Sequence, residues 1–107
     1  MVVRAYGLHV DYMRSLPLHS SQREIATTAE YSDFEYYLCL TPELTTHLLA
    51  MGEKAEVISP MELRDTIKSR LSQALRQYSQ LEGNTYVSAL FVQFPFHSLI
   101  HSLVTLI

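Results

Sequence analysis

Two histidines near the C-terminus, His97 and His101, have the spacing most typical of a metal site. Residues four apart lie on one face of a helix, so both imidazoles could reach a single zinc ion. A closed site needs further ligands, and no Cys, Asp or Glu follows Glu82. We therefore expect no metal at this pair, and we expect no cofactor elsewhere in the chain.

The single cysteine, Cys39, lies in a run of apolar and aromatic residues. No basic neighbour is evident that would lower its pKa, so a small buried hydrophobic side chain is expected. One cysteine cannot form a disulfide within the chain, which suits a cytoplasmic protein. The chain has three glycines and no nucleophile elbow, phosphate loop, paired carboxylates or Cys/His cluster, so we predict that it is not an enzyme.

Three polar residues are candidates for contact with a ligand or a partner. His19 and Gln22 belong to a predicted loop, where they can either reach a partner or close the loop by hydrogen bonds to main chain. Arg64 is predicted in the first turn of a helix, where a cation is unfavourable to the helix dipole. It indicates either a partner carboxylate or phosphate, or an ion pair with the neighbouring Asp65 or Glu62.

The charge distribution argues against nucleic-acid binding by this chain alone. Eight Lys and Arg are scattered among eleven Asp and Glu, for a net charge of −3, whereas binding to phosphate backbones depends on clustered cations. Tyr31, Tyr36 and Tyr37 could stack on bases, but without a basic groove we expect core packing or protein contact, with Tyr36 and Tyr37 on opposite faces.

The first half of the chain predicts strands. Residues 2–10 alternate weakly and suggest a strand with Tyr6, Leu8 and Val10 on one face. Residues 11–16 suggest a single helical turn that Pro17 ends. Alternation over residues 23–31 and again over 34–40 predicts a hairpin whose connection is Tyr31-Ser32-Asp33.

The second half predicts two helices around a short strand. Thr41 and Pro42 form a helix start and Gly52 a helix end. A strand at 55–58 follows, and then Ser59 and Glu62 form a capping box, with Pro60 at the first helical position. Apolar residues continue at helical spacing to Ser79: Leu63, Ile67, Leu71, Leu75 and Tyr78. The order predicts an α+β fold, a ferredoxin-like βαββαβ sandwich with an added C-terminal helix.

A break in charge predicts the domain organisation. Every charged residue lies at or before Glu82, and residues 83–107 contain none. We therefore predict one domain over residues 1–82 and an uncharged apolar tail over 83–107. The tail has the length of a membrane span, but it carries internal polar residues and no basic flank. An added strand or helix and a non-native extension are the other interpretations. The N-terminus has no signal-peptide pattern.

Five short segments, in order, resemble a known family. They are LPLHSSQ at 16–22, TPEL at 41–44, LLAMG at 48–52, AEVISPMELR at 55–64, and Tyr78. No segment is specific by itself, but their order and spacing from Tyr12 to Tyr78 resemble the C-terminal extension (WCX) domain of bacterial WYL-domain transcription regulators.

The resemblance implies a regulatory part of a larger protein. Family members carry a winged helix-turn-helix and a WYL sensor domain, and neither is present in this chain. The extension packs against the WYL domain and modulates the dimer and its response to effector, so His19 and Gln22 would line such a contact. The implied partners are those two domains, or a second copy of the chain, and a membrane is not expected. The alternative is a free-standing interaction domain that binds a full-length regulator.

Overall fold

The computed structural model describes residues 1–82, so our predictions for the tail at 83–107, including His97 and His101, lie outside the described residues. The elements are β1 (Val2–Tyr6), α1 (His9–Ser15), β2 (Arg23–Thr27), β3 (Tyr31–Glu35), α2 (Pro42–Ala50), a 3-10 turn (Gly52–Lys54), β4 (Ala55–Ser59) and α3 (Met61–Glu82). Residues Met1–Leu71 form one compact unit.

The four strands form one antiparallel sheet in the order β2-β3-β1-β4. Together with the three helices of residues 1–82, this sheet makes the α+β fold that the sequence predicts. In the centre of the sheet, Val3 lies opposite Phe34 and Ala5 opposite Ser32. Because side chains alternate along a strand, these four point to one face, and that face carries the core.

The core is built on this face of the sheet. Val3 and Ala5 are fully buried, and Phe34 and Tyr36 are 1% exposed. Val57 of β4 also belongs to the core, and the helices contribute the remaining buried apolar residues: Val10 and Met13 from α1, Leu48 from α2, Leu63 and Ile67 from α3. Burial of several large side chains of this kind is the main stabilising term in a domain of this size.

The first strand is shorter than the alternation predicts, and the expectation that Leu8 and Val10 continue it is wrong. Gly7 has a φ of +55°, and Gly52, later in the chain, has a φ of +57°. Glycine reaches this left-handed conformation at low cost. The chain turns at Gly7, and His9–Ser15 form a helix of two turns that places Val10 in the core.

The hairpin connection also differs from the prediction. The turn lies at 28–30, where the Thr28 hydroxyl accepts hydrogen bonds from the backbone N–H groups of Glu30 and Tyr31, both at 3.1 Å. Ser32 and Asp33, expected in the turn, are buried within β3. They tolerate burial because side chains from other strands pair with them, which satisfies their polar groups. The strand ends at Glu35, so the predicted continuation to Leu40 is wrong.

The signals for α2 are confirmed in detail. The Thr41 hydroxyl accepts a hydrogen bond from the Leu44 N–H at 3.2 Å, and Pro42 is the first helical residue. Gly52, with a φ of +57°, follows the helix, and its lack of a Cβ permits the left-handed conformation that ends it.

The start of α3 differs by one residue from the prediction. The helix begins at Met61, and the Pro60 carbonyl accepts the first helical hydrogen bond, from the Arg64 N–H at 3.0 Å. Pro60 therefore occupies the N-cap position, following a cis Ser59–Pro60 peptide bond. Ser59 is one residue too early to cap the helix, and the reciprocal bonds expected between Ser59 and Glu62 do not occur among residues 1–82.

The exposed fractions of Cys39, Tyr36 and Tyr37 test two further expectations. Cys39 is exposed, contrary to its expected burial, because β3 has ended and the surrounding segment is irregular. Tyr36 is 1% and Tyr37 75% exposed, which confirms that they face opposite sides.

On α3, Leu63 and Ile67 are buried whereas Leu71 is 44% exposed, so only the first turns of the apolar stripe reach the core.

Candidate partner-binding face of the sheet

The sheet has a second face, turned away from the core, which we call the outer face. It is formed by Arg4 and Tyr6 of β1, Tyr31 and Asp33 of β3, and Glu56 of β4, which alternate with the core residues of their strands. Register brings them together: Arg4 lies opposite both Asp33 and Glu56, and Tyr6 lies opposite Tyr31. The outer face is thus an ordered patch of charges and aromatic rings.

The centre of the outer face is a two-point ion pair between Arg4 and Asp33. The Arg4 Nε lies 2.8 Å from Asp33 Oδ1, and Nη2 lies 3.1 Å from Oδ2. The Arg4 guanidinium carbon also lies 3.9 Å from the centroid of the Tyr31 ring, within the range of a cation–π contact. The hydrogen bonds to Asp33 raise the pKa of Arg4 above its ordinary value. Arg4 is therefore fixed in position and permanently charged.

Tyr6 connects the Arg4–Asp33 pair to Glu56 of β4, the edge strand beside β1. Its ring meets the Tyr31 ring edge to face, with centroids 6.2 Å apart, a favourable geometry for aromatic pairs. Its hydroxyl donates to Glu56 Oε1 at 2.5 Å. That hydrogen bond raises the pKa of Tyr6 and is the largest cause that lowers the pKa of Glu56, so the Glu56 carboxylate stays ionised.

Arg64, the contact residue predicted on the long helix, joins the outer face at its rim. Its Nη1 donates to Glu56 Oε2 at 2.6 Å and to the Val57 carbonyl at 2.8 Å. The carboxylate that Arg64 pairs with thus belongs to a strand, and is not that of Asp65 or Glu62, which one of the two interpretations named. These two hydrogen bonds hold the start of α3 against β4, and the Arg64 side chain remains 37% exposed.

His19 and Gln22 lie in the loop between α1 and β2, apart from this network. Gln22 uses its whole amide: Oε1 accepts from the Leu18 N–H at 3.1 Å and from the Tyr36 hydroxyl at 2.7 Å, and Nε2 donates to the Met13 carbonyl at 2.9 Å. His19 Nδ1 accepts from the Ser21 N–H at 3.1 Å.

The structure brings His19 and Gln22 together, since the Gln22 N–H donates to the His19 carbonyl at 3.0 Å. Among the described residues it gives neither of them a hydrogen bond to Arg64. Both residues close their own loop, one of the two alternatives that the sequence leaves open.

Sequence reasoning missed most of the outer face, namely Arg4, Tyr6, Asp33 and Glu56. Each is an ordinary polar residue in an alternating strand, and nothing local distinguishes it from a solvated one. The signal that would have found them is the cross-strand pairing of opposite charges, which requires the register and hence the correct position of the hairpin turn.

The outer face presents charged and aromatic side chains that hold one another in position. Its carboxylates are each held by an arginine, and within residues 1–82 no three His, Cys, Asp or Glu are grouped closely enough to hold a metal ion. What it offers is Arg and Tyr side chains in fixed positions, the types that contribute most at protein interfaces. In the same part of the chain, none of the helices combines the length and the apolar character of a membrane span.

Comparison with known protein families gives a match. The family model of the WCX domain matches residues 2–75, which include all four strands, α1, α2 and the larger part of α3. A search of the curated proteins found no match.

Proposed function

We propose, since this chain belongs to the WCX domain family, that it is the C-terminal regulatory module of a WYL-type transcription regulator and docks through its outer face. The WCX domain is a C-terminal domain of WYL-type regulators and is typically non-catalytic. The observation that carries the proposal is the family match over residues 2–75.

The outer face supports docking because its side chains are already ordered. Arg4 is held by Asp33, and Arg64 is held by Glu56. Ordering a flexible charged side chain on binding costs about 0.5–1.5 kcal/mol, and side chains fixed beforehand avoid most of that cost. Tyr6 and Arg64 remain 37% exposed, so a partner can still bury additional area on them.

In this proposal Arg64 contacts the partner directly from the rim of the face. His19, which is exposed, extends the contact along the loop before β2. The Gln22 amide is hydrogen-bonded within the protein at both ends, so Gln22 supports the contact by holding this loop in place. The partner is the WYL or helix-turn-helix part of a regulator, or a second copy of the chain, and docking there modulates dimerisation and the response to effector.

The finer structural predictions belong to the same proposal. The βαββαβ order together with the strand order β2-β3-β1-β4 supports a ferredoxin-like sandwich with α3 added. The break in charge after Glu82 supports a domain over residues 1–82 and a separate apolar tail over 83–107. We propose a non-catalytic role in the bacterial cytoplasm, without direct binding of nucleic acid.

The experiment is reconstitution in trans. The 107-residue chain is co-expressed with a WYL-type regulator of the same organism that has been truncated before its own extension. Association is measured by tagged co-purification and light scattering, and activity by a promoter reporter. We expect a stoichiometric complex and a change in reporter output. A folded chain that neither associates nor alters the reporter would refute the proposal.

Variants locate the contact. We expect Tyr6→Ala and Arg64→Gln to weaken the complex at least several-fold, whereas Lys68→Gln, an exposed change on α3, leaves it unchanged. Circular dichroism establishes that each variant is folded. Binding that is insensitive to both outer-face variants would assign the contact to another surface. Tighter binding to an intact regulator than to the truncated one would favour the free-standing interaction domain instead.

A further inference from the structure

A groove lies between the beginning of α1 and the end of α2, outside the outer face. Its volume is about 690 Å³, and it is open to solvent. His9 and Tyr12 of α1 line one side and His47 of α2 and Lys54 of the 3-10 turn the other, with Leu8 and Met51 among the apolar contributors. We call it the α1–α2 groove.

One wall of the α1–α2 groove is a flat aromatic surface. The rings of His9 and Tyr12 are stacked, with centroids 5.1 Å apart and planes inclined by 18°. Tyr12 is 55% exposed and the adjoining Leu8 is 89% exposed. Apolar area of this kind gains free energy when a flat apolar group covers it.

The charge at the groove favours an anion. Lys54 contributes an ammonium group, and none of the described residues that line the groove is acidic. The ion pairs among residues 1–82 all use arginine, so in the described protein no carboxylate neutralises Lys54. A cation without a counter-charge beside an apolar wall attracts a negatively charged ligand.

His9 provides the second polar observation. Its Nε2 is buried and has no hydrogen-bond partner among the described residues, whereas buried polar atoms in native proteins are nearly always partnered. Burial and the nearby Lys54 lower the pKa of His9, so near neutral pH the ring is uncharged, and Nε2 either donates or accepts according to the tautomer.

We infer that the α1–α2 groove binds a small aromatic carboxylate, with the carboxylate at Lys54 and the ring against Tyr12 and Leu8. The apolar wall selects a flat body and the unpaired ammonium selects the charge. This site goes beyond the proposed function and does not depend on it, because binding is measured on the chain alone.

The test is an NMR titration of the ¹⁵N-labelled chain with benzoate and with benzamide, its uncharged counterpart of equal size. A ligand of about nine heavy atoms in an open groove is expected to have a dissociation constant on the order of 1 mM. We expect benzoate to shift the amide signals of His9, Tyr12 and Lys54 saturably, and benzamide to bind about three-fold to ten-fold more weakly, because it loses one charge interaction.

Two variants distinguish the site from weak surface binding. Lys54→Gln is expected to weaken benzoate about as much as replacing the ligand's charge does, and Lys68→Gln to leave binding unchanged. Tyr12→Ser is expected to weaken benzoate and benzamide alike. Dispersed amide spectra verify folding before each titration. Benzoate that produces no saturable shift at the groove, or that binds Lys54→Gln as tightly as the unchanged chain, would overturn the inference.

Discussion

The hydroxyl of Tyr36 donates a hydrogen bond of 2.7 Å to the side-chain carbonyl of Gln22. Tyr36 is 1% exposed, and its burial raises the pKa of the phenol, so this group stays protonated and needs an acceptor. Gln22 supplies it and also binds main chain at Leu18 and Met13. The bond thereby connects the loop before β2 to the core.

This arrangement predicts an asymmetry between two substitutions. Tyr36→Phe removes one hydrogen bond but leaves Gln22 bonded to Leu18, so it should lower the free energy of unfolding by about 1 kcal/mol. Gln22→Ala leaves the buried Tyr36 hydroxyl and the Met13 carbonyl without partners and should cost about 2–3 kcal/mol. Urea denaturation of both variants measures the difference, with the exposed Tyr37→Phe as control. Equal losses in the free energy of unfolding would show that the Tyr36 hydroxyl does not depend on Gln22 as its acceptor.

The Arg4–Asp33 pair predicts that lysine cannot replace arginine at position 4. Arg4→Lys loses the second hydrogen bond to Asp33 and the planar contact with Tyr31, so we expect a loss of about 1–2 kcal/mol in the free energy of unfolding.

Arg23→Lys is the matched control, because Arg23 pairs with Glu35 of the same strand β3 but is 70% exposed. Such surface pairs contribute about 0–1 kcal/mol, so this change should be close to neutral. Thermal or urea unfolding compares the two variants, and a loss at Arg23 as large as that at Arg4 would contradict the central role of the Arg4–Asp33 pair.

Local signals explain how much of the fold the sequence predicts. The whole of α2 follows from Thr41, Pro42 and Gly52, because capping, N-terminal proline and left-handed glycine act within a few residues. The strand β4 and the helix after it were also predicted, with an error of one residue at Pro60. An error of this size is ordinary, because helix boundaries are defined only to within one or two residues.

Long-range partners explain what the sequence does not predict. Ser32 and Asp33 look like a turn, but Ser32 bonds to Glu24 and Thr27, and Asp33 bonds to Arg4, 29 residues away. Because these partners satisfy their polar groups, Ser32 and Asp33 can lie buried within a strand. No local sequence pattern indicates such distant partners. The outer face was missed for the same reason, whereas Arg64 was singled out because a cation in the first turn of a helix is a local signal.

The Glu24 carboxylate predicts an acid-dependent loss of stability. Two hydrogen bonds from Arg14, at 2.9 and 2.7 Å, and one from Ser32, at 2.9 Å, stabilise the ionised form and lower its pKa from 4.5 to about 2. The contribution of Glu24 is therefore fully present above pH 4.5 and is lost as the pH falls toward about 2, because the unfolded chain takes up the proton first.

Comparison of Glu24→Gln with the unchanged chain tests whether the stabilising contribution of Glu24 is lost on acidification. The difference in free energy of unfolding between them should be largest near neutral pH and should shrink as the solution is acidified through that range. Glu62→Gln, at an exposed position on α3, should show much less dependence on pH. A difference between chain and variant that stays constant on acidification would exclude Glu24 as an acid-sensitive support of the hairpin.

The last prediction concerns the electrostatics of the α1–α2 groove. Burial is the largest cause of the lowered pKa of His9, and the Lys54 ammonium adds to it; Tyr12 and His47 are the other titratable groups that line the groove. Lys54→Met removes one positive charge, so it should raise the pKa of His9, but not to the ordinary value of 6.5, because burial remains. NMR titration of the imidazole resonances measures the pKa directly. Lys68→Met, which removes a lysine from α3, is the control for net charge and should leave the pKa of His9 unchanged. An equal rise in both variants would attribute the effect to the overall charge of the protein, and no rise in Lys54→Met would show that Lys54 does not act on His9.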